Sequence, residues 1–439
     1  MKNFGANLAY RPSVRGPENN SARPGVVSRI VAYSYVVAIG SGAAYYYSYS
    51  EAFPVAGYTI LFGGLWFAVW ALFSTRGRAV LGVLLKADIL LWFILVAMPL
   101  AFMVFESRPF TRGTWTSQLS SVVILFVGAV LGLRRHLRGL LALAMLSVLA
   151  VGVALNLFEL LVHNNAWSTA PGRSAGWYLN PNEASGTLAL FGILYFGFRQ
   201  GRYRRYDVPV LSLTFVGILT TFSRGGFVVF FCCVFACLLS REGPRVSWSI
   251  VRSVIGVVLG LTLVAWLAFS VVLPQLSLTE DAAMRLESIE RRAFVKDYET
   301  DRARSALHSW ARFRESPIIG VGVLTSLEME IGPHNMMAAL AMDMGITPLF
   351  LYVWVIIRMT WLGLFSLRDP VSVSSDWLVA PWMLVYGFGS HNVLYEPACL
   401  LGLGIAVSSF FGRIQGQHGD LQAVARARAR GIRRPGIPE

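Results

Sequence analysis

The residues that could do chemistry are arginines, histidines and asparagines placed at the ends of apolar runs. Arg173 and Asn182 stand in the stretch Arg173-Ser174-Ala175-Gly176-Trp177-Tyr178-Leu179-Asn180-Pro181-Asn182-Glu183. Arg224 is at the tip of Thr220-Thr221-Phe222-Ser223-Arg224-Gly225-Gly226, and His334 and Asn335 close the stretch Gly332-Pro333-His334-Asn335. Between these two lies the one long polar interval, Pro274–Asn335, with Arg285, Arg291, Arg292, Arg302 and Arg304. His391-Asn392 is a weaker, second histidine candidate. Arginine stays charged and offers two N–H groups to two phosphate oxygens at once. A histidine beside such a group can take a proton from an attacking hydroxyl. With no carboxylate cluster visible in the sequence, the set reads as one that holds an anion by fixed cations, without a metal or other cofactor.

Plainer readings compete with each of these. Asn182 precedes an apolar helix and reads as its N-cap. That explanation leaves out Arg173. A tight turn such as Thr220–Gly226 needs no arginine, and an ionisable group at membrane depth is a functional-site hypothesis by default. Most charges between Glu280 and Glu315 read as a solvated helix face with internal ion pairs, so only one or two of its arginines are expected to do more. From Asp301 onward, Ala306, Leu307, Trp310 and Phe313 recur at helical spacing, which predicts an amphipathic helix ended by Pro317. The apolar, glycine-containing loop Ile318–Val323 follows. A lone histidine at a helix start is usually a capping or interfacial residue. The place of His334, between the polar interval and a broken apolar run, raises it to a candidate.

The elements that position these residues are membrane spans. Of 439 residues, 55% are hydrophobic and 14% charged, and apolar runs long enough to cross a bilayer recur throughout. The expected fold class is an all-α polytopic integral membrane protein. About 12 spans are expected, near residues 28–47, 56–74, 86–105, 118–133, 139–161, 183–198, 208–222, 226–240, 250–272, 335–366, 377–390 and 396–412. The tenth is too long for one span, and Gly345-Ile346-Thr347-Pro348 is expected to break it. The first two dozen residues lack the apolar core of a cleaved signal peptide.

Lys and Arg crowd one set of loops: the N-terminal tail, Arg76/Arg78, Arg134/Arg135/Arg138, Arg199–Arg205, Arg241/Arg245, Arg368 and Arg413–Arg434. Both termini are therefore expected on the cytoplasmic side, with the long loop and the candidate residues outside. The resulting division is a cytoplasmic tail 1–27, spans 28–273, a periplasmic loop 274–334, spans 335–412 and a basic cytoplasmic tail 413–439. The net charge of +14 marks the cytoplasmic side and anionic lipid, not a nucleic-acid partner. The stretch Gln422–Arg434 is expected to be irregular or to lie on anionic lipid. Cys232, Cys233, Cys237 and Cys399 lie inside apolar runs, which indicates neither a disulfide framework nor a metal site.

If the anion is a diphosphate leaving group on a lipid, the chemistry is glycosyl transfer at the membrane surface, with arginines stabilising charge as it develops. At these residues the chain resembles the O-antigen ligase and O-antigen polymerase superfamily. The resemblance is carried by Gly176 to Asn182, Thr221 to Gly226, Arg302 through Trp310 to Ser316-Pro317-Ile318-Ile319-Gly320-Val321-Gly322, His334-Asn335 and Gly345-Ile346, in one order over about 173–350. Family members often carry Trp four residues after the arginine of that third stretch; here Ala306 stands there, and Trp310 follows one turn later.

The resemblance implies a GT-C-like helical fold in the bacterial inner membrane. It implies metal-independent transfer of a glycan from undecaprenyl diphosphate to a sugar hydroxyl at the periplasmic face. The acceptor would be lipid A–core for a ligase, or another lipid-linked repeat unit for a polymerase. Membrane lipids and other polysaccharide-assembly proteins are further expected partners. The family's essential residues would fall on Arg224, on one loop arginine (Arg285 by spacing, Arg302 by local motif) and on His334. Arg173, Asn182, Arg304, Asn335 and His391 would line the substrate. Two other classes remain as alternatives: a transporter or flippase of a lipid-linked saccharide, which predicts repeat symmetry and broken midplane segments, and a non-enzymatic scaffold of an envelope assembly complex.

Overall fold

In the computed structural model, the described residues are 25–49, 62–67, 69, 73, 77–162, 166–170, 172–199, 205–242, 252, 256, 260, 296–329, 332–367 and 374–429. Among them every regular element is helical: α1 (Val26–Gly40), α2 (Ala43–Tyr49), α3 (Gly77–Leu84), α4 (Ala87–Phe105), α5 (Arg112–Leu133), α6 (Arg138–Leu161), α7 (Pro181–Phe198), α8 (Asp207–Thr220), α9 (Arg224–Glu242), α10 (Lys296–Glu315), α11 (Thr325–Glu328), α12 (Met336–Met344), α13 (Ile346–Ser366), α14 (Val379–Gly387) and α15 (Pro397–Ala429). Among the described residues, five stretches are long and apolar enough to cross a membrane: Ala87–Phe105, Arg112–Leu133, Arg135–Leu161, Ile346–Ser366 and Pro397–Ile414. Shorter apolar helices cover Val26–Gly40, Asp207–Thr220 and Arg224–Ser240. The chain is a helical membrane protein. Most of the expected second and ninth spans, and Arg285, Arg291 and Arg292, lie outside the described residues.

α7 is the hub. Nearly all of its side chains are buried, as suits a helix apolar all round. It packs against α6, α8, α9 and α15. α5 and α15 run side by side in the same direction at backbone contact. A Cβ on Gly128 would sit 2.5 Å from the Leu401 carbonyl, and one on Gly132 only 2.3 Å from that of Ile405. This small-residue spacing of four lets the two backbones touch where lipid supplies no hydrophobic drive. The outer surface is apolar: Phe350, Trp354, Ile357, Trp361 and Leu364 of α13 are all exposed. A bilayer is the solvent such a face suits.

Several expected boundaries move. The first expected span divides at Gly42 (φ +79°) into α1 and α2, because a residue with positive φ ends a helix. The expected span 377–390 is a 3-10 turn, Ser375–Leu378, followed by the nine-residue α14. The basic tail, expected to be irregular or to lie on anionic lipid, continues α15 as helix to Ala429. Its alternating Ala and Arg are both strong helix formers.

The tenth run does break, at Gly345. There φ is +79° and a Cβ would meet the Ile318 carbonyl oxygen at 2.3 Å. Pro348 lies within the first turn of α13, where its missing N–H costs nothing. The loop Ile318–Val323 closes the break. The Val321 and Gly322 N–H groups donate to the carbonyls of Met342 and Asp343 (2.8 and 3.2 Å), and the Ile346 N–H donates to that of Pro317 (2.9 Å). The first two bonds occupy carbonyls that the end of α12 would leave bare, and the third satisfies an N–H at the start of α13. The amphipathic helix α10 forms as expected, with its apolar stripe outward. Ser305 and Ser309 face inward, while Leu307 and Trp310 are exposed. An apolar stripe directed outward suits contact with lipid at the interface.

Candidate functional site

The loop ahead of α7 is built on Glu159. Its carboxylate, buried near the end of α6, accepts backbone N–H groups from Trp167, Ser168, Ala175 and Gly176 at 2.5–2.9 Å. Four N–H donors on one carboxylate fix a segment with little regular structure of its own. The segment then delivers Arg173, which is only 8% exposed. The Arg173 Nε–H donates to the Thr221 carbonyl at 2.9 Å, and its Nη2 donates to Asn182 Oδ1 at 2.9 Å.

Asn182 is not the helix cap. That role belongs to Asn180, whose Oδ1 accepts the Asn182 N–H at 2.9 Å, with Pro181 opening α7. A proline at the first helical position shifts the cap to the residue before it. Asn182 Oδ1 instead receives Arg173 and also the Ser223 hydroxyl, at 3.0 Å. Arg173 and Asn182 therefore hold the turn that carries Arg224.

That turn is a strained one. Phe222 has φ +47°, a value uncommon for a bulky residue, with its ring buried. The Ser223 hydroxyl accepts the Gly226 N–H at 3.2 Å and caps α9. Arg224 is thus the first residue of a 19-residue helix, and its side chain is exposed. The positive end of the helix dipole and a guanidinium occupy the same place, and both favour an anion.

His334 is set in the same manner. It too has positive φ (+47°), and Asn335 caps α12 by accepting the N–H groups of Met337 (2.9 Å) and Ala338 (3.2 Å). α10 supports this loop through the Ser305 hydroxyl, which donates to the Gly332 carbonyl at 2.9 Å. Arg304, next to Ser305, is exposed. The backbone of α10 carries Arg302, whose side chain lies outside the described residues, as does Arg285 altogether. On the far side, a loop before α15 brings His391 to His334, with ring centroids 5.8 Å apart and planes nearly perpendicular.

The first turn of α7 joins the two halves. Asn182 holds the Arg224 turn, and its neighbour Glu183 accepts from Asn392 Nδ2 at 2.5 Å, beside His391. The Glu183 carboxyl also meets that of Glu396, and both are buried. No carboxylate cluster is visible along the chain; the fold makes one from α7 and the start of α15. Glu183, Asn392 and Glu396 are not among the expected site residues. Glu396 does leave a signal, an acid immediately before the proline that opens an apolar run.

Burial first, and the nearby His334 second, hold His391 down to about 4 from an ordinary 6.5. Between these two values the unfolded chain binds a proton that the folded one refuses, so stability falls as the pH drops through that window. The expected result is a melting temperature that declines between pH 6.5 and 4 in detergent, by up to roughly 3 kcal/mol in stability. His391→Asn should flatten that decline, and an unchanged slope would mean that His391 is not the group responsible.

No curated protein matches the chain. Residues 209–353 match the family model described as O-Antigen ligase, a stretch running from α8 past the Arg224 turn and the His334 loop into α13, so that part of the chain is similar to O-antigen ligases.

Proposed function

We propose that this protein transfers a glycan from undecaprenyl diphosphate to a sugar hydroxyl at the periplasmic face of the bacterial inner membrane. The observation that carries the reading is the double tie made by Asn182 and Glu183. Consecutive residues of α7 tie to the turn that carries Arg224 and to the loop before α15 that carries His391, the ring partner of His334.

In this reading Arg224 and the N-terminus of α9 bind the diphosphate, and the guanidinium gains most as charge builds on the leaving oxygen. His334 takes the proton of the acceptor hydroxyl as its oxygen attacks the anomeric carbon. The bond from that carbon to the diphosphate breaks, and lipid diphosphate leaves. Because burial keeps His391 unprotonated at neutral pH, it does not repel a proton arriving on His334.

A second cation comes from the loop. Arg302 is the better choice over Arg304: it stands one helical turn before Ser305, the residue that meets Gly332. Arg285 remains a third candidate by its spacing. Arg173 supports the site by holding the turn that carries Arg224. The exposed apolar faces of the helices accommodate the polyprenyl tail.

The test is a strain lacking the gene, complemented with the wild-type chain. Its lipopolysaccharide and secreted polysaccharide are run side by side with its lipid-linked intermediates. Full-length glycan left on undecaprenyl diphosphate beside bare lipid A–core is the result for a ligase. Single repeat units in place of long chains are the result for a polymerase. Unaltered glycans and intermediates would overturn the proposal.

A further inference from the structure

At the other end of the bundle lies a basic cavity of about 950 Å³. α5 and α15 run in parallel from the His391 end, and Arg413 lies 16 residues beyond Pro397, roughly 24 Å along the helix. The cavity is formed where α5 ends, where the short turn Arg135–Leu137 leads into α6, and where α15 passes. Its polar wall holds Arg134, Arg135, His136, Arg138, Ser409 and Arg413.

The inner arginines converge on one hydroxyl. Arg138 Nη2 donates to Ser409 Oγ at 3.5 Å, and Arg413 Nη2 donates to the same atom at 3.1 Å. Arg413 also pairs with Asp376, and the Arg138 guanidinium lies over the Phe198 ring, 5.4 Å from its centroid. Arg135 and His136 are exposed at the rim. Arg138 and Arg413 set two positive charges against one carboxylate, Asp376, and a phosphate between them would offset the remaining charge while accepting from both.

The opposite wall is apolar. Val80 and Val83 of α3 face the cavity, while Leu81 and Leu85 beside them are exposed to the outside. A free anion has no use for such a wall. An acyl chain running down α3 from a headgroup does.

The geometry points to a binding site for a phosphate group, presented by an anionic phospholipid whose headgroup enters among Arg134, Arg135, Arg138 and Arg413 and whose chains lie along α3. Basic pockets between helices on the cytoplasmic side are where such headgroups bind, and the positive-inside rule assigns this arginine-rich end to that side. The site is separate from the one containing His334 and does not depend on what that one does.

The test uses the full-length protein purified in neutral detergent, with native mass spectra and thermal unfolding recorded after adding cardiolipin, phosphatidylglycerol, phosphatidylcholine or inorganic phosphate. The expected result is a one-to-one adduct and a raised melting temperature with the two anionic lipids only. Arg135→Gln with Arg138→Gln should weaken the adduct by roughly tenfold or more, the loss expected when charge-assisted bonds are removed. These two are chosen because removing Arg413 would strand Asp376 and risk the fold. Arg205→Gln, outside the cavity, should leave the adduct intact. Stabilisation by inorganic phosphate equal to that by lipid would overturn the lipid source. Equal adducts with phosphatidylcholine, or adducts unchanged in the double variant, would overturn the site.

Discussion

His334→Ala should lower turnover by roughly 10²–10⁴-fold, the usual contribution of a positioned general base, and leave the affinity for the lipid-linked donor within a few-fold. The split follows from placement. The imidazole stands at the start of α12 on a backbone with positive φ, held by the Asn335 cap and by the Ser305 bond to Gly332. Those contacts survive the substitution, so the loop keeps its shape and the donor keeps its cationic partners. What is lost, on the proposed mechanism, is the group that receives the acceptor's proton. Donor binding is read by titration with undecaprenyl-diphosphate-linked glycan, and turnover by a single-turnover assay under saturating donor. Lost binding with unchanged single-turnover rate would make His334 a positioning residue and end its role as base.

The general fold and the main candidates are legible in the sequence because each is a local signal. Spans follow from the length of apolar runs, the break at Gly345 from a glycine inside one, and the Arg224 turn from a charge where a hairpin needs none. What cannot be read there is tertiary. Asn392 and Glu183 are 209 residues apart, and only packing of α7 against the segment before α15 makes them neighbours. The buried face of α10 escapes the sequence for a related reason. In a membrane, helical periodicity gives the apolar face without saying whether lipid or protein covers it. There Leu307 and Trp310 go outward and two serines go in. Asn182 shows the local limit: two asparagines flank a proline, and only the folded loop decides which one caps.

Arg224→Lys should cost nearly as much as Arg224→Ala, roughly 10²–10³-fold in transfer, the range for removing one preorganised donor from developing charge. Lysine keeps the charge but cannot present two parallel N–H groups to two phosphate oxygens. The turn has other supports of its own. Arg173 bonds Thr221 and Asn182, Ser223 bonds Asn182, and the Ser223 hydroxyl caps the helix. Both variants should therefore express and melt close to wild type. Arg173→Ala should behave differently, with lower melting temperature and activity together, since it removes the strut beneath the turn. Transfer is measured on purified donor and acceptor, with folding checked by the melting temperature. Near-normal product from a well-folded Arg224→Lys variant would mean that a point charge suffices there and would remove the two-oxygen clamp from the mechanism, whereas equal losses in both variants with unchanged melting identify the guanidinium geometry as what the leaving diphosphate requires.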